Sequence, residues 1–429
     1  MATPLEPFYQ LQCSCNSYPW GKKGSQSLAA RLCAKTPGYI NTSSSSSDGS
    51  SRELFTIDES TPYAEMWMGT YPSLPSLVAS TGEPLQSVLD RHATALLGPG
   101  VLERFGHSNL PFLPKVLSIA KALPLQIHPD KEAAARLHAQ NPEKFPDANH
   151  KPEIALAVSR FEAFCGFKPL TDIAEALSLK PTAHFLTYAT LTSSKLVDED
   201  LRPIIQAILE SPDSVIKQTY EGLISLPESA FTPANSHIPK LAPRLAKQFD
   251  ESDPGILVAL LTMNYLILNP GDALYIPADG IHAYLSGDII ECMARSDNVI
   301  NTGFCPRPDR DSAAEFCSLL TFRPHELGEC MLSRMAYWRS EKGKTSVFQP
   351  PLSEFNFLET TLGPGEEELL GKGGPSILLA TRGSATIAIH GGDKSFELGE
   401  GHVYFISRGV ALDIKAKEDG LLMHTAYYE

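Results

Sequence analysis

Residues 268–298 read LNPGDALYIPADGIHAYLSGDIIECMARSDN. The stretch opens on a turn, Asn269-Pro270-Gly271-Asp272, where proline presets one backbone angle and glycine permits the other. A short β run at 273–276 follows, then a second turn, Pro277-Ala278-Asp279-Gly280. His282 stands just after it, and Tyr284 falls on the same face of the next strand because side chains alternate. Ser286-Gly287-Asp288 reads as a third turn and 289–293 as another strand, carrying Glu291. Tight turns thus place an imidazole and a carboxylate on neighbouring short strands. A small β-barrel presents metal ligands or acid/base groups at its mouth in this way.

Gly271, Pro277 and His282 follow one another at a spacing that resembles the second cupin motif, with Gly280 three rather than two residues after the proline. Residues 269–277 align by eye with 399–407, GEGHVYFIS, which predicts a second barrel of the same kind. No histidine follows there at the matching distance, so that barrel is expected to hold no metal.

Working outward, residues 7–20, 63–69, 111–122 and 147–157 read as further β segments, with helices at 25–34, 85–97 and from Pro129-Asp130 through 139. The serine-rich run 41–52 reads as a mobile loop. Between about 170 and 250 the period changes. Leu201, Ile204, Ile205, Ile208 and Leu209 lie on one helical face, and 214–226 and 238–249 look helical too. From Asp253 the β pattern is expected to return. The fold class is therefore mainly β with an all-α insertion: two cupin-type jelly-roll barrels plus a helical domain. The boundaries fall at 1–168 and 251–335 for the catalytic region, 169–250 for the helices and 336–429 for the second barrel.

A chain of 429 residues exceeds one hydrophobic core, and its 34 prolines and 30 glycines suit many short strands. The net charge of -14 excludes a general nucleic-acid or anionic-membrane surface, so an anionic substrate needs a local basic pocket. Eight scattered cysteines without a CxxC pair point to a reducing compartment. The N-terminus carries no signal-peptide pattern and the chain no long apolar run, so the expected location is cytoplasmic.

Gln126 and His128 are two apart and face the same way on a strand. Taken with Glu153 and His282, they supply two imidazoles, a carboxylate and an amide oxygen, a donor set that suits Zn²⁺ with one position left for water or substrate. Any one of them alone reads equally as a buried, hydrogen-bonded polar residue. Lys115, Lys121 and Lys151 sit in apolar β context and lean towards an anionic ligand.

The motifs at 18–22 (YPWGK), 63–69 (YAEMWMG), 126–131 (QIHPDK), 150–153 (HKPE) and 268–298, in this order, resemble type I phosphomannose isomerase across nearly the whole chain. The resemblance implies one Zn²⁺ held by Gln126, His128, Glu153 and His282, and interconversion of mannose 6-phosphate and fructose 6-phosphate. By position it makes Glu291, Lys151, Asp297 and Tyr284 catalytic candidates, with Glu291 the foremost acid/base. Arg307, Lys115, Trp20 and Asn301 become candidates for binding substrate or its phosphate. The implied partner is a small sugar phosphate, with no nucleic acid or membrane, and the expected state is a monomer. Two positions depart from the family pattern. Asn301 stands where the family has an arginine, and Pro124 where it has a serine assigned to phosphate. The alternatives these keep open are a zinc cupin acting on another sugar and a non-catalytic sugar-binding cupin.

Overall fold

The computed structural model describes residues 3–38, 55–189, 195–351 and 354–429; the serine-rich run lies outside them. Among the described residues the strands form an 11-stranded sheet, a 10-stranded sheet and a small two-stranded ribbon. Every ladder between named strands is antiparallel. Neither large sheet closes into a ring of paired strands, so the two β bodies are open sheets.

The 11-stranded sheet is organised by the strand His282–Ala294. Sequence reading split it at Ser286-Gly287-Asp288, which is not a turn. The strand runs through, and its two halves pair with different partners. The first half lies beside Leu125–Ile127 and Phe161–Phe167. The second lies beside Phe112–Ile119 and Glu153–Ala157. Gly287 sits where the strand passes from one set to the other, with φ 122°, and a Cβ there would stand 2.6 Å from the Arg160 carbonyl oxygen. Only glycine fits that approach. His282 and Glu291 are therefore on one bent strand rather than on neighbours.

Alternation along this strand decides what faces where. Ile281, Ala283 and Leu285 bury against a helical core, as do Leu125 and Ile127 from the adjacent strand. That core is built by Leu170–Leu177, Asp198–Glu210, Asp213–Ile224 and Ile238–Gln248, with Ile204, Ile205 and Ile208 at its centre. Each such side chain contributes about 1.5–3 kcal/mol by leaving water. The opposite face then carries Gln126, His128, His282 and Tyr284. A further helix, Pro254–Thr262, stands where the β pattern was expected to resume. All nine of its residues are buried, so its sequence has no helical period to read. The Asp253 side chain caps it by accepting from the Gly255 N–H.

The first strand, Phe8–Gln12, pairs not with the 11-stranded sheet but with Val403–Ile406 of the C-terminal one. Ser14–Asn16 then crosses to Glu65–Trp67 in the 11-stranded sheet. One core joins the sheets, in which Ile154, Ile290 and Cys292 pack with Ile377, Val403 and Phe405. In the 10-stranded sheet Val403–Ile406 and Leu412–Tyr427 both pair with Ser376–Ile389, as Ala273–Ile276 and His282–Ala294 both pair with Glu153–Ala157, and Leu412 stands at the place of His282. No described helix is long and apolar enough to cross a membrane.

Candidate active site

Three strands carry one row of inward side chains. Gln126 lies opposite His282 on one side and opposite Asn301 on the other. Directly paired residues of an antiparallel ladder share a face, so Asn301, Gln126 and His282 point the same way. His128 follows two residues after Gln126, its backbone N–H donated to the Ala278 carbonyl at 2.9 Å. Glu153 enters from the strand that pairs with the far half of His282–Ala294.

His128, Glu153 and His282 are fully buried, and one ligand atom from each falls within 4.8 Å of the others. His128 Nδ1 donates to the Asn298 carbonyl at 2.8 Å and His282 Nδ1 to the Gly280 carbonyl at 2.9 Å. A carbonyl only accepts, so each Nδ1 carries the hydrogen and each Nε2 a lone pair. Both Nε2 atoms are buried without a hydrogen-bond partner. They face Glu153 instead, Nε2 of His128 at 3.2 Å from Oε1 and Nε2 of His282 at 3.8 Å from Oε2. Burial, followed by the Lys151 ammonium, pulls the His128 imidazole down to about 3, and burial likewise lowers His282. Both rings are thus neutral, and lone pairs face lone pairs. A cation between them resolves the conflict. The Nδ1–H bonds to carbonyls are the supports that orient metal-ligating histidines.

Burial alone would raise the Glu153 carboxyl, but the Lys151 ammonium beside it outweighs burial and holds it well below the ordinary carboxylate range. Lys151 Nζ lies 3.1 Å from Oε1, and the Tyr284 hydroxyl donates to Oε2 at 3.1 Å. Tyr284 is pushed well above its usual range by burial and by this carboxylate.

Beside this cluster runs a second row, Trp67, Lys115, Glu291 and Ala155, in direct cross-strand register. Lys115 Nζ lies 3.6 Å from Glu291 Oε2 and 4.3 Å from the centre of the Trp67 ring. Burial would lower Lys115, yet Glu65, Glu291, Asp297 and Glu153 together raise it, so it stays charged. Burial, and after it the Glu153 charge, pushes Glu291 up to about 8. Asp297 is also raised by burial against the pull of Lys151 and Lys115.

Residue by residue, the structure brings together His128, Glu153, His282, Lys151 and Tyr284, with Lys115, Glu291 and Asp297 around them. Trp20 stacks on Tyr18 at 5.8 Å and packs against the apolar cluster holding Tyr284. Asn301 has its backbone pinned at both ends by Asp311 and its Oδ1 buried without a partner. Arg307 is not gathered in, since its exposed guanidinium pairs with Asp213. Arg295 also turns away, over the Tyr71 ring at 5.0 Å. Two residues escaped sequence reasoning. Glu65 accepts from the Trp67 indole at 2.7 Å and faces Lys115. Asn298 positions the carbonyl that orients His128, its own amide anchored on Asp147 and Asn149.

The families described as phosphomannose isomerase type I, catalytic domain, and phosphomannose isomerase type I C-terminal match residues 8–170 and 347–391. Mannose-6-phosphate isomerase of Candida albicans is 35% identical over 96% of this chain and 95% of its own length. That of Schizosaccharomyces pombe is 36% identical over 98% and 100%. The chain belongs to the type I phosphomannose isomerases. Among solved structures, a mannose 6-phosphate isomerase bound with zinc and yttrium superposes with a TM-score of 0.78 at 25% identity, covering 99% of this chain and 100% of that one. The Salmonella typhimurium enzyme bound to fructose 6-phosphate and zinc gives the same TM-score, identity and coverage.

Proposed function

We propose that the protein is a zinc-dependent isomerase interconverting mannose 6-phosphate and fructose 6-phosphate through a cis-enediol. The observation that carries this is the convergence of two neutral, unpartnered imidazole nitrogens on the Glu153 carboxylate. His128, Glu153 and His282 hold the ion, with the Gln126 amide oxygen as fourth ligand from the same face. When bound, zinc polarises substrate oxygens and favours the charge that develops on them.

Moving a carbonyl from C1 to C2 takes a proton from one carbon and returns it to its neighbour. Glu291 suits that shuttle, because a carboxyl pushed up to about 8 both accepts and releases a proton near neutral pH. Lys115 holds Glu291 in place and adds positive charge beside it. Lys151 does the same for Glu153, and Tyr284 fixes that carboxylate's second oxygen. Asp297, facing both lysines, helps to keep Lys115 charged. Trp20 forms the wall against which the sugar lies. Asn301 offers its free carboxamide to a substrate hydroxyl or the phosphate, and Arg307 reaches the phosphate only after leaving Asp213.

We also assign a cupin-type jelly roll to each β body, with the helices as an insertion between strands of the first, and a cytoplasmic monomer as the working form. A second reading, a zinc isomerase for a different sugar, is favoured by Asn301 and Pro124, which remove a guanidinium and a hydroxyl from the expected phosphate side.

The test is a coupled assay on mannose 6-phosphate beside free mannose, with and without a chelator. Turnover of the phosphorylated sugar that disappears with chelator is the expected result. Turnover of free mannose alone selects the second reading, and no turnover by the zinc-loaded protein overturns both.

A further inference from the structure

The ladder between Glu153–Ala157 and His282–Ala294 ends where Glu153 stands opposite Met293, and just beyond it the Ala294 N–H is donated to the Pro152 carbonyl at 3.1 Å. Past that end side chains keep the two segments joined. Asn149 Nδ2 donates to the Arg295 carbonyl at 3.2 Å, and the Ser296 hydroxyl donates to the Asn149 carbonyl at 3.0 Å. Asn298 is fully buried, and its Nδ2 meets acceptors: the Asp147 carbonyl at 2.7 Å, Asp147 Oδ1 at 3.2 Å and the Asn149 carbonyl at 3.0 Å. Asp147 stands at the head of this zipper. Its Oδ2 accepts from the Asp297 N–H at 2.9 Å and from the Tyr71 hydroxyl at 3.0 Å, and its Oδ1 accepts from the Asn149 N–H at 3.1 Å. One carboxylate thus fixes both Asp297 and Asn298, and the Asn298 carbonyl is the acceptor for His128 Nδ1 at 2.8 Å.

We propose that Asp147 is a positioning residue for the metal site: it holds segment 296–298 so that the Asn298 carbonyl keeps the His128 proton on Nδ1 and the Nε2 lone pair towards Glu153. Each side-chain bond of Asp147 is one that it accepts, and the bonds are shared between both oxygens. Asparagine at this position has the same shape but a single accepting oxygen, with an NH2 group in place of the other. Whichever way that amide turns, N–H faces N–H, either at Asp297 or at Asn149 and Asn298. Segment 296–298 is then loosened without any cavity being opened. The His128 ring has a second acceptor within reach, Glu153 Oε1 at 3.2 Å from Nε2. Once the Asn298 carbonyl shifts, that carboxylate draws the proton to Nε2, and the lone pair that would meet a cation is lost. Outer partners of metal-ligating histidines typically change metal affinity by about 10- to 100-fold. Asp147 acts one bond further out, which puts its effect at the lower end. His282 is an internal comparison, because its Nδ1 bonds the carbonyl of Gly280, on the separate turn closed by the Gly280 N–H and the Pro277 carbonyl.

The effect on metal rests on the zinc reading of the site, so the first measurement uses none. Full-length, metal-free protein labelled with ¹⁵N-histidine gives imidazole N–H signals for His128 and His282, assigned by their loss in His128→Gln and His282→Gln. In the wild type both protons should sit on Nδ1. In Asp147→Asn the His128 proton should move to Nε2 while His282 is unchanged. Two unchanged signals overturn the proposal, and so does a change in both, which makes Asp147 a support of the fold rather than of His128. Zinc affinity is then measured by chelator competition. It should fall about tenfold in Asp147→Asn and stay within about twofold in Tyr71→Phe, which removes a bond to Asp147 but none to segment 296–298. A His128 proton that moves with zinc affinity unchanged, or an equal fall in both variants, overturns the link to the metal. A wild type that shows both Nδ1 protons yet binds no zinc defeats the isomerase reading, while the spectra still decide the positioning. Where Asp147→Asn does not fold, Asn298→Ala cuts the same hold from the other side, keeps the backbone carbonyl, and is judged by the same signals.

Discussion

Replacing Glu291 by glutamine separates chemistry from architecture at this site. Glutamine keeps the shape and removes the proton shuttle. A positioned acid/base contributes about 10²- to 10⁴-fold, or roughly 2.7–5.4 kcal/mol of barrier. We therefore expect kcat for mannose 6-phosphate to fall by that factor with KM within about threefold. Stability should change little. In the metal-free protein at pH 7 the Glu291 carboxyl, pushed up to about 8 by burial and Glu153, is mostly protonated, and glutamine mimics the neutral acid. Lys115 also keeps Glu65, Asp297 and Glu153 as counter-charges, so no buried ammonium is stranded. The sign of the pH effect follows. Between the unfolded value near 4.5 and about 8, the folded metal-free protein holds a proton that the unfolded chain has lost. Wild-type stability thus declines over that window relative to Glu291→Gln. The assays are coupled turnover and denaturant unfolding across pH. Full turnover by a zinc-loaded, folded Glu291→Gln protein removes the shuttle role. Loss of turnover accompanied by unfolding at pH 7 shows instead that the carboxyl is structural.

Asn301→Arg should raise kcat/KM for mannose 6-phosphate by about 10- to 150-fold, the size of one charge-assisted contact, mainly through KM; no gain in a steady-state assay means the phosphate lies elsewhere. Zinc affinity measured by competition should stay within about threefold from pH 8 to pH 6, because burial keeps both imidazoles neutral. Two histidines of ordinary pKa would lose about tenfold over that range, and such a loss contradicts the site's electrostatics. Burial lowers Lys168 to about 7, so from there to about 10 the unfolded chain binds a proton that the folded one does not. Relative to Lys168→Met, wild-type stability should rise with pH across that window, and a flat difference in denaturant titrations refutes it.

How much of this was legible depended on whether the signal was local. The alternation Ile281, His282, Ala283, Tyr284, Leu285 is readable from period alone, and it places both ring-bearing residues on the side away from the helical core. Gln126 and His128 are found the same way. Gly287 was misread because Ser-Gly-Asp suits a turn as well as a bend, and only the close approach of the Arg160 carbonyl distinguishes them. Pro254–Thr262 is apolar on every side, so its period carried no information; the Asp253-Pro254 cap was the usable signal. The pairing of Phe8–Gln12 with Val403–Ile406 joins the two ends of the chain, and no local pattern specifies it. Glu65 is a lone carboxylate in an apolar strand, and its meaning appears only when Trp67 and Lys115 are brought beside it.

The account turns on three lone-pair-bearing atoms buried face to face. Anomalous diffraction at the zinc edge from crystals of the zinc-loaded protein tests it most directly. The expected result is one strong peak per chain, bonded to Nε2 of His128, Nε2 of His282 and a Glu153 oxygen, at about 2.0–2.2 Å from each. A peak anywhere else, or a bare hydrogen bond between His128 and Glu153 in zinc-saturated protein, contradicts it.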